Sequence, residues 1–505
     1  MLAEQKNGRE PAGVKSQAEK VLIIGSGIGG LSCAIILAKL GFDVTVLEKN
    51  HQPGGLIRSY TREGLECSVG IHYLGSLGQG QVLRKFFDYL GVTDDIPVSR
   101  MGENGVIDRY LFDAPETHPP SFDLPEGFDA YEENLIQAFP AEQACIKKIV
   151  TAIRKTSDQL HSLDLLYSTE NDFALLDQSQ PYGEILDNLG CSPGLRSVLA
   201  IPSSWIGVPL ADCPAYYHNM ALASYVSSSW RLQQSGTDMA DVLVNRLQEL
   251  GGKVITGAET DKILVSSRVA EGVQLKTGEC LNGSLVIAAV HPQVVLQMLP
   301  DGAVKPSYRN RISKLKNTHS VFSVHARIDA EEHPEIPYNI FKIETNRHGD
   351  VPDLKYYQIR RSEKQDSSLL SILTSGQDET WAPWKKTRSG RRGNEYDDTK
   401  EKFAMELIGE AEELFGSFKD LKMLDAYTPL TIRDWVNSPD GSAYGVLRSS
   451  SQILATALLN RTPVKGLYLA GQNVMAPGVI GTIMGSFATV KFILGADEFR
   501  NKIRL

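Results

Sequence analysis

The stretch Val21-Leu22-Ile23-Ile24-Gly25-Ser26-Gly27-Ile28-Gly29-Gly30 decides how this chain folds. Val21 to Ile24 is a continuous apolar run, as expected of a parallel strand buried on both faces. Gly25, Gly27 and Gly30 stand at G-x-G-x-x-G spacing. The first permits a tight turn, the second lets backbone approach a pyrophosphate, and the third lets helix pack on strand. Leu31, Ala34, Ile35 and Ala38 recur at helical spacing and predict a helix from about residue 29 to 40. Its N-terminus, with Ile28 and Gly29 in the first turn, offers free N–H groups and a partial positive charge to phosphates. Gly41 is the expected C-cap. Val44 to Leu47 predicts a second strand ending in Glu48. An acid about 20 residues beyond the glycines is placed to accept bonds from ribose hydroxyls. Strand, turn, helix, strand and acid together spell a dinucleotide site, and the acid disfavours a 2′-phosphate.

Pro53-Gly54-Gly55 follows almost at once. A glycine pair there lets main chain approach a large ligand closely, which points to FAD rather than NAD. At the far end of the chain, Leu467-Tyr468-Leu469-Ala470-Gly471-Gln472 reads as another buried strand running into a glycine turn. Both ends therefore build one dinucleotide-binding fold. The expected class is α/β, a two-lobed flavoprotein with a discontinuous Rossmann-type FAD domain and a mixed α+β substrate domain. The FAD domain is expected over 19–85, 232–295 and 455–497, and the substrate domain over 86–231 and 296–454.

The chain has 505 residues and a net charge of −9, which disfavours non-specific nucleic-acid binding. Its six cysteines are scattered, with no C-x-x-C and no histidine at zinc spacing. No metal is expected, and buried thiols in a reducing, cytoplasmic setting are the simplest reading. Residues 1–18 are polar and read as a disordered tail without an apolar signal segment. The longest apolar candidate, Val474 to Leu494, is interrupted by Lys491 and by glycines, so no transmembrane helix is expected. A peripheral membrane contact stays open.

In the middle, Gln81 to Leu90 reads as a helix leaving the nucleotide lobe, and Glu132 to about Leu166 has helical periodicity. Trp205, Tyr216, Tyr217, His218, Tyr225 and Trp230 fall close together and are weighed as a wall for a flat or apolar ligand against plain core packing. Asp238 to Leu250 predicts an amphipathic helix and Lys253 to Thr256 a strand. Residues 307 to 380 read mostly as strands, 385 to 398 as a solvated basic loop, and Glu401 to Phe415 as a helix.

Taken over residues 20 to 495, the chain resembles the family of all-trans-retinol 13,14-reductases, carotenoid isomerases and phytoene desaturases. The likeness rests on the nucleotide stretch through Gly55, on Val69-Gly70-Ile71-His72-Tyr73-Leu74-Gly75, on Thr428-Pro429-Leu430-Thr431 with Ala443-Tyr444-Gly445, and on Gly466 to Gly485. It implies a non-covalent FAD between two lobes and an apolar tunnel to its ring. By the resemblance, Gly25, Gly27, Gly30, Glu48 and the adjoining Lys49 hold the ADP part. Gly54, Gly55 and Arg58 lie near the pyrophosphate or ring, and Val254 presents backbone to adenine. Gly471 and Gln472 approach the pyrophosphate and ribityl chain, and Gly478, Ile480, Gly481 and Thr482 the flavin. One departure is Leu56, where amine oxidases and bacterial phytoene desaturases usually carry Arg directly after the glycine pair. With His72-Tyr73, it favours the saturase and isomerase branch.

Reduced flavin can deliver hydride to a conjugated polyene, because the resulting charge delocalises along the chain. The leading expectation is saturation of one double bond of an apolar polyene or isoprenoid. His72 and Tyr73, with Tyr444 behind them, are the candidates for completing the second carbon with a proton. No second G-x-G-x-x-G follows a strand, so electrons come from a protein donor or from a visiting NAD(P)H. They could instead leave to a quinone, which would make the chain a desaturase. Cis–trans isomerisation and a non-redox escort role for polyenes or prenyl groups remain the alternatives.

Overall fold

A computed structural model describes residues 19–113, 119–168, 179–362 and 366–505; the expected tail at 1–18 lies outside them. Strands Lys20–Ile24, Asp43–Leu47, Lys253–Ile255, Leu285–Ala288 and Leu467–Leu469 form one sheet. All its pairings are parallel, and the order across it is 253, 43, 20, 285, 467 by first residue. The apolar runs are continuous because alternate residues serve two cores. Val21, Ile23, Val44, Val46 and Ile287 face helices Ile28–Lys39, Gly236–Glu249 and Gly478–Leu494. Leu22, Ile24, Leu47, Val286 and Ala288 face a three-stranded antiparallel sheet, Thr260–Ser266, Val269–Leu275 and Cys280–Asn282. Strand Lys20–Ile24 has chain-adjacent Asp43–Leu47 on one side and the distant Leu285–Ala288 on the other. Such a reversal opens a crevice at the carboxyl ends of the strands, where ligands bind.

The second lobe is built on a seven-stranded sheet. Its order is Lys422–Tyr427, Val321–Asp329, Ser367–Ser375, Asp353–Arg361, Asn339–Glu344, Asp108–Phe112 and Ser121–Leu124. Helix Asn394–Phe415 packs Leu407, Ile408 and Ala411 against Phe322, Val324 and Ile372 on one face. Helices Gln143–Ser162, Pro193–Ser204 and Ala215–Ser227 cover the other, meeting Tyr110, Phe341 and Tyr356.

Several expectations need correction. The helical stretch from 132 is three pieces, Phe128–Ala138, Gln143–Ser162 and Asp164–Tyr167. Pro140 breaks it, because its ring disfavours the helical region for Phe139 and it has no N–H to donate. Helix Val82–Leu90 does not leave the nucleotide lobe. Phe86 stacks on Phe487 with ring centroids 5.1 Å apart. The loop at 385–398 ends in the start of helix Asn394–Phe415, and Arg392 within it is not solvated but pairs with half-buried Asp434 at 2.6 Å. Of the cysteines, 33, 67 and 213 are buried, 145 and 191 half-buried, and 280 exposed. None of the six clustered aromatic and histidine side chains lines the central cavity. Trp205 packs edge-on to Tyr225, and His218 stacks on Tyr182, inside the cores. No single described helix is long and apolar enough to cross a membrane.

Candidate active site: a dinucleotide cleft with an apolar far wall

The crevice at the carboxyl ends of the parallel strands opens into a cavity of about 290 Å³. Its floor is glycine. Gly25 has φ +96°, and a Cβ on Gly30 would lie 2.0 Å from the Gly25 carbonyl oxygen. These two are held by the protein's own packing. Gly27 is different: at φ −61° it would tolerate a side chain, and a Cβ there meets no protein atom within 4 Å. The room is kept for something else. Helices Ile28–Lys39 and Gly478–Leu494 both start at this cavity with no side-chain cap, at Gly27 and Pro477. Two sets of free helix N–H groups therefore converge on the same space, an arrangement that favours a bound anion such as pyrophosphate. Close approach of Gly471 makes this convergence possible, since a Cβ on Gly29 would come within 2.5 Å of the Gly471 Cα.

Glu48 is 5% exposed, and its Oε2 accepts from the Ser26 N–H at 3.0 Å and the Ser26 hydroxyl at 2.6 Å. Oε1 accepts from the Asn50 N–H at 2.9 Å, which leaves it acceptor capacity toward the cavity. The carboxylate is thus oriented before any ligand arrives. Two cavity-lining residues carry buried polar side-chain atoms with no partner in the protein, the Thr260 hydroxyl and both ring nitrogens of His72. Thr260 sits just beyond Ala258, whose N–H bonds the Glu48 carbonyl at 2.8 Å, so it belongs to the end of the cleft marked by Glu48.

At the other end the wall comprises Val69, Ile71, His72, Val321, Leu373 and Tyr444. The charged residues lining the cavity, Glu48, Lys49 and Glu259, all cluster at the Glu48 end. The segment Ser68–Tyr73 is clamped onto the seven-stranded sheet. His325 bonds the Ser68 carbonyl at 3.1 Å, Tyr427 donates to the Val69 carbonyl at 2.6 Å, and Gln358 donates to the His72 carbonyl at 3.5 Å. Burial, with His325 and Arg360 nearby, pushes the His72 imidazole down to about 3, so it is neutral at physiological pH. Burial alone pushes the Tyr444 phenol up to about 12.

Residues 28–486 match the model of the flavin containing amine oxidoreductase family. The chain belongs to that family. The curated all-trans-retinol 13,14-reductase of Danio rerio is 25% identical over 94% of this chain and 86% of that protein. Prolycopene isomerase 2, chloroplastic, of an Oncidium hybrid cultivar is 26% identical over 97% and 86%. Among solved structures, an oxidoreductase from Methanosarcina mazei aligns with TM-score 0.65 at 15% identity, over 94% of this chain and all of that one, and shares the fold. The cofactor is FAD, and the glycine cradle, the paired helix termini, the oriented Glu48 and the orphaned Thr260 hydroxyl fit it.

Of the residues expected to hold this flavin, Gly25, Gly27, Ile28, Gly29, Glu48, Lys49, Gly54, Gly55, Gly471, Gln472, Gly478 and Thr482 line the cavity. Gly30, Ile480 and Gly481 support it from behind. A Cβ on Gly481 would lie 2.6 Å from Ala476, and Ile480 packs into the adjoining core. Arg58 does not line the cavity. Its guanidinium lies 5.0 Å over the Trp435 ring and donates to the Gln52 carbonyl at 3.3 Å. Val254 also lies outside it, paired with Val46 in the sheet, and Ala258 to Thr260 take the cleft position that Val254 was expected to fill. Tyr73 points away, its hydroxyl donating to Asp108 at 3.1 Å. Ser26, Thr260 and the Ala289–His291 turn were not singled out. Ser26 stands inside the glycine motif, and the turn follows strand Leu285–Ala288 at the reversal, so the topology rule could have found both.

Proposed function

We propose that this flavoprotein saturates one double bond of a conjugated, apolar polyene or isoprenoid. The observation that carries this reading is the uncharged far wall. An amine substrate arrives as a cation and needs an anion or an aromatic cage, whereas this wall carries no charged side chain and a single phenol ring, Tyr444, among Val69, Ile71, Val321 and Leu373. The named activity of the retinol reductase relative supports the same reading, and that of the prolycopene isomerase fits the isomerase alternative. Bound and reduced, FAD supplies a hydride. The chain's own residues do the rest. The apolar wall excludes water and aligns the polyene. Tyr444 stays protonated at every physiological pH and holds a proton for the second carbon. His72, neutral and unpartnered, is the second proton-bearing group lining the cavity. A visiting NAD(P)H or a protein partner would supply the electrons; flow outward to a quinone would correspond to desaturation.

The test is anaerobic photoreduction of the purified yellow protein followed by mixing with all-trans-retinol. Loss of the polyene's conjugated absorbance with return of oxidised flavin is expected. Absorbance gained from a precursor polyene with oxidised flavin would make the chain a desaturase. An altered isomer ratio with flavin still reduced would make it an isomerase, and no flavin-dependent change would leave only an escort role.

A further inference from the structure

Behind His72, inside the second lobe, lies a polar cluster that the proposed reaction does not use. At its centre is Asp108, fully buried on strand Asp108–Phe112. Its Oδ2 accepts from the Tyr73 hydroxyl at 3.1 Å and its Oδ1 from the Asn339 amide at 2.8 Å. The Asn339 carbonyl oxygen then gathers three donors, Arg231 at 3.1 Å, Tyr356 at 3.0 Å and Gln358 at 3.2 Å. Gln358 also donates to the His72 carbonyl, and the Tyr356 ring packs 5.2 Å from the His72 ring. Asp108 therefore reaches the His72–Tyr73 segment by two routes. One is direct, through the Tyr73 hydroxyl. The other runs through Asn339 to Gln358 and the His72 main chain.

We infer that Asp108 is a positioning residue, and that gain or loss of its proton resets the His72 wall of the cavity. This rests on the reading of His72 as part of the site. The network as built contains two donors aimed at Asp108, which only a carboxylate satisfies. A neutral acid must donate from one oxygen. Toward Asn339 that sets donor against donor. Toward Tyr73 it reverses the bond and frees the phenol hydrogen. Either change loosens one of the two routes.

The surroundings make the change accessible. Burial lifts the Asp108 carboxyl to about 7 despite the Asn339 and Tyr73 bonds and the Arg231 charge. Tyr73 and Tyr110 are pushed well above the usual phenol range, Tyr225 and Tyr356 are raised, and Arg231, though lowered by burial, stays a cation. His72 and His325 are depressed to about 3 and about 4. Within this cluster Asp108 is the group that titrates between pH 5 and pH 9.

The test uses FAD-loaded protein carrying ring-labelled histidine, with the His72 signal assigned by its loss in His72→Gln. The His72 ring resonance is expected to move through a single transition near pH 7 while keeping the shifts of a neutral imidazole. In Asp108→Asn, which preserves the size and one acceptor, the transition disappears. Should that variant fold poorly, Tyr73→Phe cuts the direct route and is expected to shrink the shift. Thermal unfolding gives an independent reading. A carboxyl raised in the folded state contributes stability below its unfolded value of roughly 3.9, and loses it as pH climbs through its folded value. Asp108→Asn should therefore melt higher relative to wild type at pH 8 than at pH 5. A His72 signal flat across pH 5–9, or one that moves alike in wild type and Asp108→Asn, overturns the inference. Neither arm needs a polyene, so failure here is separate from failure of the proposed reaction.

Discussion

The two ends of the cavity are built by opposite means. At the dinucleotide end the chain works by omission: glycines remove side chains, and backbone N–H groups do the binding. At the polyene end it works by attachment. Side chains from strands Val321–Asp329, Asp353–Arg361, Lys422–Tyr427 and Asp108–Phe112 reach across to hold the single segment Ser68–Tyr73. The first kind of site is local and intolerant of added atoms. The second is assembled from remote parts and should fail by loosening rather than by clash.

The largest effects should come from breaking the first kind, and they should divide the glycines into two classes. Gly30→Val drives a side chain into the Gly25 carbonyl 2.0 Å away, a backbone contact that cannot yield. The cost should exceed the roughly 1–3 kcal/mol of ordinary overpacking, and soluble protein should be lost. Gly27→Val should fold, since its Cβ meets nothing, yet emerge colourless because the valine occupies the phosphate room. Circular dichroism and the flavin absorbance of the purified variants check both. A yellow Gly27→Val would show that the cradle is not where the pyrophosphate lies.

At the other end, Tyr444→Phe should leave flavin content intact and slow polyene-dependent flavin reoxidation by about 10²–10⁴-fold, the usual worth of a positioned general acid. Stopped-flow absorbance measures it. An unchanged rate would pass the role to His72. Glu48→Ala should be milder still, weakening FAD by about 1–3 kcal/mol, because three hydrogen bonds inside the protein are lost together with the ribose contact. Titration of apoprotein with FAD reads that change.

The same contrast explains what could be read from the sequence. Gly25, Gly27, Gly30 and Glu48 were legible because a tight turn, a helix start and a strand end are set by neighbours along the chain. Both ends of the chain were recognisable as one sheet because each carries a strand apolar on both faces. Tyr73 was misplaced because its partner Asp108 is 35 residues away on another lobe. The clamps on Ser68 and His72 come from residues 257 and 286 positions distant, and no local pattern announces them. Val254 was assigned to the ligand because its strand was recognised, but its pairing with Val46 directs the cleft to the residues that follow.

That last misassignment yields the finest test of the dinucleotide end. Val254→Ala should leave FAD affinity unchanged. Thr260→Val, nearly the same shape, should act in opposite directions on the two forms of the protein. In apoprotein the Thr260 hydroxyl is buried without a partner, a state that costs about 1–3 kcal/mol, so valine should raise the melting temperature. With FAD bound, the hydroxyl gains the partner it lacks, and valine forfeits a bond of about 0.5–1.5 kcal/mol. The gap in melting temperature between holo and apo forms should therefore narrow in Thr260→Val and not in Val254→Ala. A gap that is equal in both would mean that the cofactor does not reach Thr260, and that the orphaned hydroxyl is a cost the fold bears for another reason.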